Sequence, residues 1–213
     1  MADSEQESRA VTEEISDVKA RLRSDVRSAR RARSATRRTE AAIAIATHVL
    51  AIPAVQEATC VSVYASRPTE PGTLPLLEAL ADHGKRVLLP VLGDGLERGW
   101  APYVPDEKLV KRAPGRPPEP SSGFVEAEAL QEADVVCVPA LGVDDQGTRL
   151  GQGGGWYDRA LTYASPHARI VALCFDEELH AEGEPLPREE HDIPVHAVVT
   201  PHGYQEFVPA SRT

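Results

Sequence analysis

The chain has 213 residues, 33 acidic and 23 basic, for a formal charge of -10. That length can bury a full core in one large domain without disulfides or metal staples. With 41% hydrophobic and 26% charged residues, collagen-like and predominantly disordered classes are excluded.

The N-terminus is acidic (Asp3, Glu5, Glu7) and has no apolar h-region, so no secretory signal is expected. Residues 1–12 and 209–213 read as loose ends around a single domain at 13–208. From Lys19 to Arg38 nine basic residues face one acid, Asp25, a local charge of +8 on a remainder of -18. Ile15, Val18, Leu22, Val26 and Ala29 recur at three- and four-residue steps, which predicts a helix with Lys19 and Arg23 on the rim of its apolar stripe. A rim cation packs its stem on the body and reaches into a groove with its head. Arg27 to Arg38 are expected to form a solvated face.

A second helix is expected over Thr39–Leu50. The richest apolar window, Ala41 to Val55, is broken by Thr47, His48 and Pro53, so no membrane span is expected. Strands follow at Cys60–Ala65, Arg86–Val91, Asp134–Ala140, Arg169–Phe175 and Val195–Thr200, short β-branched runs of the kind buried on both faces. Helices are expected at Thr73–His83, with Gly84 just past its end, and at Gly155–Ala164. Lys111–Gly123, rich in Pro, Gly and Ser, is a long loop. Strands alternating with helices predict a three-layer α/β domain with a mainly parallel sheet. Cys60, Cys137 and Cys174 lie singly in apolar runs, which points to buried thiols in a reducing, cytoplasmic setting.

Val135 to Leu161 (VVCVPALGVDDQGTRLGQGGGWYDRAL) carries the chemistry. A buried strand leaves through Pro139 into a loop with six glycines, and a helix begins near Trp156. Glycines at the end of a parallel strand let backbone N–H groups approach an anion closely, and a helix N-terminus adds positive potential. The pattern is neither a Walker A loop nor G-x-G-x-x-G. Trp156 and Tyr157 suit a planar heterocycle. Asp158 suits a cation beside phosphates, or simply compensates the helix dipole.

The run GTRLGQGGGWYDRAL resembles the signature of the 5-formyltetrahydrofolate cyclo-ligases, and the resemblance continues through the chain. Lys19-Ala-Arg-Leu-Arg23 is similar to the family's N-terminal element. Ser66-Arg-Pro-Thr-Glu70-Pro-Gly-Thr73 and Gly84-Lys85-Arg-Val-Leu-Leu-Pro90 are similar to its second block, and Glu119-Pro120 to a Glu-Pro pair before the glycines. Leu186-Pro187 with His191-Asp192, ending at Val198-Val199-Thr200, is similar to its last block.

The resemblance implies a Rossmann-like α/β fold of the kind shared by sugar-phosphate isomerases and CoA transferases. It also implies ATP- and magnesium-dependent closure of 5-formyltetrahydrofolate to 5,10-methenyltetrahydrofolate, with release of ADP and phosphate. Lys19, Arg23, Arg149 and Tyr157 become the catalytic candidates. ATP would lie on Lys19, Arg23 and the loop Arg149, Leu150, Gly151, Gln152, Gly153, Gly154, Gly155, Trp156 and Tyr157. The folate would contact Arg23, Ala65, Glu70, Gln152, Trp156 and Tyr157, while Asp158 and Asp192 would hold Mg2+. The expected partners are small molecules, with no nucleic acid or membrane, acting on a monomer or weak dimer. Two positions depart from the family's pattern. Gln152 replaces a usual Arg or Lys, for which Arg159 is a nearby substitute, and Trp156 stands where Tyr is more frequent. The alternatives are a noncatalytic relative that binds nucleic acid through the Arg-rich helix, and a sugar-phosphate or CoA enzyme on a similar fold.

Overall fold

The computed structural model describes residues 2–92, 98–113, 115–121 and 123–207, and of residues 2–13 the backbone alone. Helix α1 spans Ala2–Ala32 and α2 spans Ala35–Leu50. Its backbone thus includes 2–12, the stretch expected to be a loose end, whereas 209–213 lie outside the described residues. The expected continuous Lys19–Arg38 helix breaks at Arg33–Ser34. Ser34 adopts an extended conformation and its hydroxyl accepts the Arg37 N–H at 3.3 Å, capping α2.

The remaining helices are α3 (Pro53–Glu57), α4 (Leu74–Asp82) and α5 (Trp156–Ala160). Gly84, with φ of +70°, follows α4 at the expected place. The strands are β1 (Cys60–Ser62), β2 (Arg86–Leu92), β3 (Arg98–Pro102), β4 (Val125–Glu126), β5 (Val135–Pro139), β6 (Gly142–Val143), β7 (Arg149–Leu150), β8 (Arg169–Leu173), β9 (Ala197–Thr200) and β10 (Gly203–Glu206).

Eight strands form one sheet in the order β10-β9-β8-β5-β1-β2-β3-β4. The five central strands, β9 to β2, pair in parallel, and β10, β3 and β4 add antiparallel edges. The expected mainly parallel α/β architecture is therefore present, with antiparallel margins the hydrophobic runs did not announce. β6 and β7 make a separate antiparallel hairpin.

Alternate strand residues feed two cores. Val61, Val87, Leu89, Val135, Cys137, Val171 and Val199 pack with Ile45, Val49, Val55, Leu76 and Leu80 of α2, α3 and α4. Cys60, Leu88, Val136, Val138, Ile170 and Val198 pack on the opposite face with Leu130, Ala160 and Leu161. A sheet covered on both faces explains why its central strands read as unbroken apolar runs. All three cysteines are free and buried. Burial pushes the Cys60 thiol up to about 11 and Cys137 up to about 12, which leaves them unreactive. Among the described residues no helix is long and apolar enough to cross a membrane.

Helix α1 lies apart from these layers. Leu22 and Val26 of its predicted stripe pack on Leu141, Leu150 and Leu186. Arg30, only 2% exposed, donates to both carboxylate oxygens of Glu178 at 2.6 and 2.7 Å and to the Ala140 carbonyl at 2.5 Å. Arg33 lies 3.8 Å above the Phe175 ring. The expectation of a solvated face from Arg27 to Arg38 is corrected at these two positions: they are anchors that hold α1 against the body.

Candidate active site

Chain direction around β1 sets the location of the site. β1 pairs with β2 on one side and β5 on the other, so connections leave β1 and β5 in opposite directions. The crevice beyond the carboxyl ends of such strands is where open α/β sheets bind ligands. A cavity of about 400 Å³ opens there. Tyr64 and Ala65 after β1, Pro90 on β2, Pro139 of β5 and the whole loop from Arg149 to Arg159 line it. Lys19 and Arg23 of α1 enter from one side, and Glu189, His191 and Asp192 come from the segment before β9. The candidate catalytic, ATP, folate and magnesium residues named from the sequence all line this one cavity.

The glycine loop is presented by the β6–β7 hairpin. Asp144 shapes the hairpin turn by accepting the N–H groups of Gln146 and Thr148, and its other oxygen accepts from Leu186 at 2.9 Å. Gly153 has φ of +98°, and a Cβ there would meet the Arg23 guanidinium at 3.4 Å, so a side chain is disfavoured by both backbone and neighbour. Arg23 donates from Nε to the Gly151 carbonyl at 2.9 Å. The expected helix at Gly155–Ala164 is shorter: α5 has five residues and continues as a 3-10 turn over Leu161–Tyr163. One turn has little macrodipole. Positive charge at the loop therefore comes from side chains such as Lys19 and Arg149.

Those cations are held ready by carboxylates. Lys19, 4% exposed, donates to Glu189 at 2.7 Å and to Asp192 at 2.5 Å. Burial raises the Asp192 carboxyl, but the Glu189 N–H at 2.8 Å and the Lys19 ammonium outweigh it and hold the group below the usual carboxylate range. Arg149 donates to Asp158 at 2.7 Å and to the Pro139 carbonyl at 3.4 Å. Donor atoms of Glu189, His191 and Asp192 come within 4.8 Å of one another. Asp158 is outside that trio. The sequence reading did not name Glu189 and gave His191 no role, although both lie within the three residues before Asp192.

On the other wall Glu70, 5% exposed, accepts the Arg67 N–H at 2.7 Å, the Arg67 Nε at 3.1 Å and the Gln152 amide at 3.0 Å. Trp156 packs edge-on to Trp100, with centroids 5.4 Å apart, and to Tyr157, at 4.9 Å. The Trp156 Nε1 and the Tyr157 hydroxyl are buried without a hydrogen-bond partner among the described residues. Gln152, the departure from the family's pattern, does not leave its position without a cation. Arg27 donates to the Gln152 carbonyl at 2.7 Å and to its side-chain oxygen at 3.2 Å. Arg159, the substitute named from sequence, lines the cavity and donates to the Gly154 carbonyl at 2.6 Å.

The fold and cleft define an α/β protein whose crevice carries Lys19, Arg23, Arg149, the glycine backbone and the Trp156–Tyr157 pair on one side and Glu70 on the other. The chain belongs to the 5-formyltetrahydrofolate cyclo-ligase family, whose model matches residues 15–201. The 5-formyltetrahydrofolate cyclo-ligase of Mycolicibacterium smegmatis is 40% identical over 66% of this chain and 73% of its own. That of Escherichia coli K12 is 37% identical over 85% of this chain and its full length. Among solved structures, the 5,10-methenyltetrahydrofolate synthetase of Aquifex aeolicus superposes with a TM-score of 0.75 at 25% identity, covering 92% of this chain and 96% of that one. The Mycoplasma pneumoniae synthetase shares the fold, with a TM-score of 0.66 at 16% identity over 86% of this chain and 98% of that one.

Proposed function

We propose that this chain uses ATP and magnesium to close 5-formyltetrahydrofolate to 5,10-methenyltetrahydrofolate, releasing ADP and phosphate. Family membership supports the reaction. The observation that carries the finer reading is one cavity in which a cationic glycine loop, ending in Trp156 and Tyr157, faces Glu70, which suits a phosphoryl donor meeting a pterin. The nucleic-acid alternative is weakened because Lys19 and Arg30, two of the nine basic residues of that segment, are buried in ion pairs.

A formamide oxygen is a poor leaving group, so it is phosphorylated first. The formyl oxygen attacks the γ-phosphorus, the bond to the ADP oxygen breaks, and ADP leaves. The N10 lone pair then adds to the activated carbon and forms the new C–N bond. The C–O bond to phosphate breaks with its electron pair, and the N10 proton passes to phosphate or solvent. The protein's work in such a sequence is positioning and charge stabilisation.

Lys19, Arg23 and Arg149 supply the positive charge facing the phosphates. Two of them start out paired with carboxylates, Lys19 with Asp192 and Arg149 with Asp158. As hard oxygen donors Asp158 and Asp192 would hold magnesium, which when bound would neutralise phosphate charge. On substrate binding Lys19 and Arg149 would turn from these carboxylates to phosphate oxygens, and Glu189, the second partner of Lys19, keeps 24% of its side chain exposed to solvent. Glu70 accepts the amino and ring N–H groups of the pterin, and Tyr157 and Trp156 line its face. The test is turnover of purified protein with ATP, magnesium and 5-formyltetrahydrofolate, followed by absorbance of the methenyl product.

A further inference from the structure

Tyr64 leaves β1 two residues past its end and is buried to 3% exposure in the core shared with α2 and α4. Its backbone is fixed. The Tyr64 carbonyl accepts the Thr73 hydroxyl at 2.6 Å, and Thr73 and Ser66 exchange two further bonds at 3.1 and 3.2 Å. This clasp closes the segment that carries both Tyr64 and Glu70. Tyr64 is among the residues lining the cavity, and its buried hydroxyl has no hydrogen-bond partner among the described residues. Ser62 also has a buried hydroxyl without a partner, but it does not line the cavity. A rigid buried donor left unpaired costs stability, so its retention at a ligand wall points to a partner that arrives with the ligand.

We propose that Tyr64 is a specificity residue for the heterocycle, its hydroxyl donating to a ring carbonyl of the substrate that Glu70 anchors through ring N–H groups. The inference rests on the folate reading above. A pterin presents donors and a carbonyl acceptor on its pyrimidinone edge. Glu70 can only accept, so that edge needs a donor as well. The hydroxyl is suited to donate: burial, with the Glu70 charge adding to it, pushes its pKa well above the ordinary phenol value and keeps the proton in place. Tyr157 and Trp156, whose hydroxyl and Nε1 are also buried, line the same cavity, but they sit on the glycine-loop side, whereas Tyr64 shares its segment with Glu70.

Tyr64→Phe removes the hydroxyl alone. The expected result is a KM for 5-formyltetrahydrofolate raised about tenfold, the size of one lost hydrogen bond to a buried acceptor. The KM for ATP should stay within about twofold, and urea stability of the ligand-free protein should be equal to or above wild type. As a second arm, wild type should bind a 2,4-diamino pteridine, in which an amine replaces the carbonyl, more weakly than its 4-oxo counterpart, and Tyr64→Phe should lose most of that preference. Unchanged folate affinity in the variant, or a drop in its ligand-free stability, overturns the assignment while the folate reading stands. Failure of wild type to bind or turn over the folate overturns both.

Discussion

Arg30→Met removes the guanidinium that ties α1 to the body while keeping a long apolar stem. The side chains of Arg30 and Glu178 are 2% and 6% exposed, and the pair is closed by two bonds of 2.6 and 2.7 Å. The substitution also strips a donor from the Ala140 carbonyl. Glu178 is left with the Phe175 N–H at 2.9 Å and no countercharge. Breaking a buried pair from one side costs about 3–5 kcal/mol, a large share of the roughly 5–15 kcal/mol that holds a domain together. Urea unfolding should therefore show a midpoint shifted well down at an unchanged slope. Adding Glu178→Gln should restore most of the loss, since the glutamine keeps an acceptor for Phe175 and carries no charge. A single-variant loss under about 1 kcal/mol, or a double variant worse than the single, would refute the reasoning and reduce the pair to a surface contact.

Arg27→Ala should raise the KM for ATP about three- to tenfold, below the full value of a charge-assisted contact because Arg27 is exposed; an unchanged KM would leave Arg27 as a clasp on Gln152 only. Asp158→Asn should abolish metal-dependent turnover and leave the circular dichroism of the fold intact, whereas full activity would return Asp158 to a helix-terminus role. Asp134 accepts the Cys60 and Thr59 N–H groups and the Thr59 hydroxyl, tying β1 to β5. The Cys60 N–H chiefly holds its carboxyl below the usual range. A depressed folded pKa gives stability that is present above the unfolded value and lost as pH falls through the folded one. Asp134→Asn should thus cost about 0.5–1 kcal/mol at neutral pH, and the gap to wild type should close in acid; a gap independent of pH would contradict this.

The central strands were legible because two-sided burial writes itself as β-branched runs, and all five lie where those runs are. β3, with Gly99 and Pro102, and the two-residue strands carry no such signal, since edge and hairpin pairing is set by partners and not by pattern. The cap at Ser34 was a readable cue, outweighed by the absence of Gly or Pro. Arg30 was readable too. It lies seven residues beyond Arg23, almost two full turns, and so belongs on the inward face with Lys19 and Arg23. The glycine loop and its aromatic exit stood out by composition. Tyr64 did not, because within VSVYAS a buried tyrosine looks like one more strand residue, and only the structure shows a hydroxyl with nothing to bond. Glu189 likewise became visible only through its contact with Lys19.

Although the chain carries a net charge of -10, α1 turns Lys19 and Arg23 onto a cavity bordered by glycine backbone. The most direct test is to follow the methenyl product and ADP together in one reaction of wild-type protein. One ADP formed per folate closed, dependent on both ATP and magnesium, is the predicted result. Folded protein that yields no methenyl product at saturating substrates, or yields it without consuming ATP, would contradict the account.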